Sequence, residues 1–121
     1  MLRVPHEEFA RSADRELTVQ EQRKTRHLID ARVRTRKPLA YLIHEAWLGD
    51  HRFYVDERVI VPRSYIGELL RDGLSAFVPE PEAVERVLDL CTGSGCLAIL
   101  AALAFEQANV DAVDISADAL E

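Results

Sequence analysis

Residues 83–116 read AVERVLDLCTGSGCLAILAALAFEQANVDAVDIS, and the order of elements in this stretch decides the fold class. Val87, Leu88 and Leu90 form a short apolar run with a carboxylate, Asp89, set inside it. Thr92-Gly93-Ser94-Gly95 follows, then an Ala- and Leu-rich run to Phe105. A second short run, residues 110–115, carries acids at Asp111 and Asp114. Strand, glycine turn, helix and strand in that order predict a right-handed βαβ unit with two parallel strands, hence an α/β fold.

The turn has a chemistry of its own. Gly93 and Gly95 permit torsions and close approach that a Cβ would block. The turn opens a helix, whose N-terminus offers unpaired N–H groups and positive potential to a polar ligand. Asp114 ends the second strand 21 residues after Gly93, and an acid at that offset can accept both hydroxyls of a ribose. The unit therefore reads as a seat for an adenosine-containing cofactor. Two classes fit. Gly93-Ser94-Gly95-Cys96-Leu97-Ala98 satisfies the relaxed dinucleotide fingerprint, which would suit NAD. Asp89, four residues before Gly93, favours S-adenosylmethionine. A carboxylate there can orient the loop and face a cationic methionine end, whereas it would repel a pyrophosphate.

The chain has 121 residues, enough for one modest domain, and 48% hydrophobic content places it among globular rather than disordered chains. No apolar run reaches the length of a membrane span and no signal-peptide pattern opens the chain, so a cytoplasmic, reducing compartment is expected. Cys91 and Cys96 do not have zinc-ligand spacing, and both are expected to be buried in packing; no metal site is read. The net charge of −6 hides an asymmetry. Arg23, Lys24, Arg26, Arg32, Arg34, Arg36 and Lys37 face a single acid, Asp30, so this segment carries +6 and the remainder −12. Such a segment suits RNA or a ribosomal partner, or makes a solvated helix face.

Two N-terminal helices are predicted. Pro5 with Glu7 and Glu8 starts the first, with Phe9, Ala13 and Leu17 on one face. Thr18 and Glu21 form a capping box for the second, which carries a thin stripe of Leu28, Ile29 and Val33, lies on a surface, and ends at Pro38. Residues 39–61 change period and predict two or three short strands, including a hairpin at Gly49-Asp50. His44 and His51 have no partner at a telling spacing and are expected at the surface. Ser64 is expected to cap a helix running through Ile66, Leu69, Leu70, Leu74 and Phe77, broken by Pro79-Glu80-Pro81.

Three separated blocks carry a resemblance. Arg36-Lys37-Pro38-Leu39-Ala40-Tyr41-Leu42 resembles an Arg-x-Pro-Leu-x-Tyr segment, and Val59-Ile60-Val61-Pro62-Arg63 a Val-Leu-Ile-Pro-Arg block. The run from Val87 to Cys96, with Val113-Asp114-Ile115-Ser116, resembles the cofactor motif of the same proteins, the HemK-like or Prm family of glutamine N5-methyltransferases. Order and spacing fit over roughly residues 18–121. The resemblance implies a Rossmann-like class I methyltransferase fold that is truncated here. It divides the chain into a helical N-terminal region (1–37), a β-hairpin linker (38–63) and the first part of the S-adenosylmethionine-binding domain (64–121). It implies cofactor contacts at Asp89, Cys91, Thr92, Gly93, Ser94, Gly95 and Asp114, with Arg63 near the pocket. Ser64-Tyr65-Ile66-Gly67-Glu68-Leu69, Glu45-Ala46-Trp47 and residues 53–58 are similar to the branch that methylates the third large-subunit ribosomal protein rather than the branch that acts on release factors.

The family's Asn-Pro-Pro-Tyr signature, which clamps the substrate amide, does not occur in the chain. An amide nitrogen is a poor nucleophile, and that loop works by positioning and electrostatics. The chain is therefore expected to be an inactive fragment with no catalytic residue of its own. Transfer of labelled methyl groups to its protein substrate by the 121-residue chain would overturn that expectation. Two other functions stand beside this one: part of an NAD-dependent oxidoreductase, and a non-catalytic module that contacts RNA or a ribosomal protein through residues 23–37. Parallel strands with open edges also predict self-association.

Overall fold

A computed structural model describes residues 14–121. The first expected N-terminal helix falls mostly outside the described residues, and residues 14–17 are irregular. Helix α1 spans Val19–Thr35 and starts with the expected capping box. The Glu21 N–H donates to Thr18 Oγ1 at 3.3 Å, and the Thr18 N–H donates to Glu21 Oε2 at 2.8 Å. Arg15 grips the same carboxylate at 2.9 Å, and this ion pair, with the Thr18 donors, holds the Glu21 carboxyl at about 2. No residue of α1 is buried, as its thin apolar stripe predicts. The chain leaves the helix through Arg36 in a left-handed conformation, just before Pro38.

A carboxyl depressed in the native state stabilises above its unfolded value and loses that contribution as pH falls towards the native one. The N-terminal turn of α1 is therefore expected to fray as pH drops from about 4.5 to about 2. Far-ultraviolet circular dichroism should show a loss of helical signal over that window, and Glu21→Gln should flatten it.

Leu39–Ile43 forms a short helix, α2, where a strand was expected. A short apolar cluster does not distinguish strand from helix by its period. Pro38 sits at the N-cap position, and the left-handed His44 closes the turn, with the Glu45 N–H reaching Ala40 O at 3.0 Å. The Tyr41 hydroxyl donates to Val59 O at 2.6 Å, which ties α2 to a segment 18 residues further along the chain. The predicted hairpin is present: β1 (Ala46–Leu48) and β2 (His51–Phe53) pair antiparallel across Gly49-Asp50. Residues 59–61 are not a strand. His44 and His51 are both exposed, as expected.

Ser64 caps α3, with its Oγ accepting from the Ile66 N–H at 3.2 Å, but the helix spans only Tyr65–Arg71. Gly73 and Leu74 both turn left-handed, and the Leu74 N–H returns to Leu69 O at 2.9 Å, so Leu74 and Phe77 lie beyond the helix. A Cβ on Gly67 would stand 3.1 Å from Leu48 Cγ and 3.3 Å from Leu100 Cδ1, so the missing side chain lets α3 sit close to the hairpin and to the helix that carries Leu100.

The predicted unit follows: β3 (Arg86–Leu90), α4 (Cys96–Ala104) and β4 (Asn109–Val113). The strands pair parallel, from Arg86 opposite Asn109 to Leu90 opposite Val113. The core joins Leu48, Leu70, Cys96, Leu100, Ala101 and Phe105, with Val87 and Val110 packed against it. Thus α4 links the hairpin, α3 and one face of the sheet. The other face keeps Leu88, Leu90 and Val113 exposed.

Candidate functional site

Strand β3 delivers Asp89 and Leu90 to the end of the sheet, and Cys91 then turns the chain with φ +60°. The Thr92 N–H donates to Val113 O at 3.0 Å, which binds the turn to the end of β4. The Thr92 hydroxyl donates to Asp89 Oδ2 at 2.6 Å. Gly93 (φ +56°) donates its N–H to Asp114 Oδ2 at 2.8 Å, and Ser116 donates its N–H to Asp114 Oδ1 at 2.9 Å. Gly95 (φ +74°) is the N-cap of α4, and its carbonyl accepts the Ile99 N–H at 2.9 Å. A Cβ on Gly93 or Gly95 would meet nothing within 4 Å. Both glycines are thus required by backbone conformation rather than by crowding, and the space beside them is open.

Two carboxylates hold this turn from below. Asp89 is half-buried and anchors Thr92. Asp114 takes the Ser116 and Gly93 N–H groups, and these bonds lower its pKa from the ordinary value. A carboxylate has about four lone-pair positions, so Asp114 keeps acceptor capacity for two further donors, such as vicinal hydroxyls.

Among the residues singled out from sequence, Asp89, Thr92, Gly93, Gly95 and Asp114 meet in one hydrogen-bonded turn. Ser94 adjoins it, with Oγ 3.0 Å from Cys96 Sγ. Burial pushes the Cys96 thiol up, as a packed cysteine requires. Cys91 corrects the expectation that both thiols are buried, because its side chain is exposed. The left-handed turn at Cys91 breaks the strand's inward–outward alternation. Arg63 is exposed in the irregular segment before α3, and among the described residues no hydrogen bond or ion pair joins it to the turn. Among the described residues no group of acids, histidines and cysteines could hold a metal ion.

Sequence reading did not foresee a cavity of about 410 Å³ beside Ser94. Tyr54, Val55, Asp56, Ile99 and Ala119 are among its lining. Val55 is fully buried there. The Arg58 guanidinium holds the Asp56 carboxyl at about 2. Nothing local in residues 53–59 announces this placement, since long-range packing brings them against the glycine turn.

A left-handed torsion costs any residue with a Cβ roughly 1–2 kcal/mol, whereas glycine adopts it freely but loses about 0.5–1 kcal/mol of unfolded-chain entropy. Cys91→Gly is therefore expected to stabilise the chain by up to about 1 kcal/mol, because Cys91 is left-handed, exposed and contributes no core contact. Urea denaturation of the two proteins measures the difference.

No protein-family model matches the chain. A curated protein from Bordetella pertussis, named ribosomal protein uL3 glutamine methyltransferase, is 58% identical over 99% of the chain. The chain is thus similar to that protein over nearly its whole length. The protein of the same name from Burkholderia pseudomallei is 70% identical over 77% of the chain, and that from Neisseria gonorrhoeae is 50% identical over 99%. The chain spans 30–40% of the length of these relatives. The family resemblance carried by the three sequence blocks is thus borne out, and the relatives' shared name agrees with the ribosomal-protein branch. Among the described residues no helix is long and apolar enough to cross a membrane.

Proposed function

We propose that the chain is part of a cytoplasmic S-adenosylmethionine-dependent methyltransferase that modifies a glutamine side-chain amide in ribosomal protein uL3. The observation that carries this reading is the 58% identity across 99% of the chain to a protein of that name. The relatives' name favours the ribosomal protein over a release factor as substrate. In this reading residues 1–37 belong to the substrate-recognition region, 38–63 link it to the catalytic domain, and 64–121 begin a Rossmann-like sheet.

The cofactor supplies a methyl group on a sulfonium centre. Asp114 would accept its ribose hydroxyls while its own bonds to Gly93 and Ser116 keep the carboxylate aimed. Asp89 would fix the loop through Thr92 and offer negative potential to the sulfonium and amino groups. The open side of Gly93 and Gly95 would leave room for close approach of the cofactor, with Cys91 and Ser94 as neighbours in the turn.

Calorimetric titration with S-adenosylhomocysteine and, separately, with NAD tests this. Binding of the first alone is the expected result. Binding of NAD alone would replace the reading with a dinucleotide enzyme, because Asp89 would then tolerate a pyrophosphate. Binding of neither by a folded chain would remove the turn as a sufficient site.

The bare sheet face of Leu88, Leu90 and Val113 also supports self-association of the 121-residue chain. Sedimentation velocity should show a concentration-dependent shift to larger species, and a clean monomer throughout would contradict it.

A further inference from the structure

The glycine turn leaves the cationic segment without a role. Helix α1 carries Arg23, Lys24, Arg26, Arg32 and Arg34, and its left-handed cap and the next residue add Arg36 and Lys37. Among the described residues only Lys37 pairs with a carboxylate, that of Glu57. The other six cations make no ion pair there, and neither does Asp30, the one acid within the segment. None of the helix is buried. Uncompensated charge is therefore displayed on a preformed element, while the rest of the chain carries −12 and repels a polyanion.

We propose that α1 and its cap form a docking surface for the phosphate backbone of double-helical RNA. Five of the seven cations are arginines, whose planar forks match phosphate oxygens. The segment from Thr18 to Lys37 holds no Trp, Tyr or Phe, so it offers no stacking platform for unpaired bases. A duplex presents its phosphates without needing one. Arg23 and Arg34 lie about 16 Å apart along the helix axis, long enough to touch several phosphates. Asp30 lies on the same side as Arg26 and Arg34, four residues from each, and weakens the surface. The choice of RNA over DNA rests on the proposed ribosomal substrate, and it adds that this substrate is met as a protein–RNA particle.

The test is fluorescence anisotropy with a labelled RNA duplex of about 16 base pairs and arbitrary sequence. Arg23, Arg26 and Arg34 share one side of the helix, with Arg36 at its cap, and four phosphate contacts predict that affinity falls about 150-fold between roughly 50 and 200 mM salt. Arg23→Glu with Arg26→Glu and Arg34→Glu should weaken binding at least about 100-fold and flatten the salt slope by about 3. Asp30→Lys should tighten binding and steepen the slope. Circular dichroism checks that the helix persists, and the triple Arg→Gln variant repeats the test without new like-charge repulsion. Unchanged affinity in both triple variants, or binding independent of salt, would overturn the proposal. So would tighter binding of poly-glutamate, which would assign the surface to an acidic polypeptide, or of a DNA duplex tenfold above RNA. Titration of the same protein with S-adenosylhomocysteine is a separate readout, so failure of the RNA surface and failure of the methyltransferase reading remain distinguishable.

Discussion

Asp114→Ala is expected to lower affinity for S-adenosylhomocysteine by at least about 100-fold. Two effects combine. The ligand loses two hydroxyl contacts to an ionised acceptor, each a factor of roughly ten or more. The turn loses the carboxylate that joins the Gly93 N–H to the Ser116 N–H, so the loop no longer enters binding preorganised. Asp114→Asn should retain part of the affinity, because one amide oxygen can still accept while the amide nitrogen meets an N–H donor. The pH dependence has a definite sign. The Ser116 and Gly93 N–H groups depress the native carboxyl, so its contribution is whole above the ordinary carboxylate range and is lost as pH falls through the native value. Calorimetry of the variants, with thermal melts as a folding check, measures the effect. An alanine variant that binds within threefold of the parent chain would remove Asp114 from the site.

Phe105→Ala should be the most damaging single change to the fold. Phe105 is 4% exposed and closes α4, with its N–H on Ala101 O at 2.9 Å and its ring in the cluster with Leu70 and Leu100. Truncating a buried phenylalanine costs about 3–5 kcal/mol. Small domains have only about 5–15 kcal/mol of stability in total. The described core here is one small cluster, and the sheet is covered on one face only. The variant is therefore expected to show no complete folded baseline in urea at 25 °C. Phe105→Leu, which keeps most of the volume, should cost under about 1.5 kcal/mol. A loss below 1 kcal/mol for the alanine variant would mean that this cluster does not hold the chain together.

Features set by neighbours in sequence were legible. The Thr18–Glu21 cap, the Gly49-Asp50 hairpin, the Ser64 cap and the strand–turn–helix–strand order all appear where expected. Each depends on hydrogen bonds or torsions within a few residues, or on the alternation of apolar positions. Where the local signal was ambiguous, the reading failed. Leu39–Ile43 could be strand or helix on period alone, and α2 is fixed by its cap and by the Tyr41 bond to Val59, 18 residues away. The apolar spacing of Leu70, Leu74 and Phe77 suggested a longer α3, but Asp72-Gly73-Leu74 ends it with two consecutive left-handed residues. Cys91 was read by composition as a packed thiol, and its exposure follows from a backbone torsion that composition does not reveal.

The candidate site divides in the same way. The residue types and offsets of Asp89, Gly93, Gly95 and Asp114 picked out the turn proposed to hold the cofactor, because a βαβ unit brings the ends of its parallel strands together whatever surrounds it. The sequence by itself thus determined the unit, its polarity and the residues at its mouth. Only the tertiary structure decided that Asp89 holds Thr92, that Asp114 bridges Gly93 and Ser116, and that residues 53–59 wall a cavity beside Ser94. The Gly93–Asp114 bond and the wall beside Ser94 join groups far apart in the chain, while the Asp89–Thr92 and Asp114–Ser116 bonds span two or three residues and depend on left-handed torsions that residue types alone do not reveal.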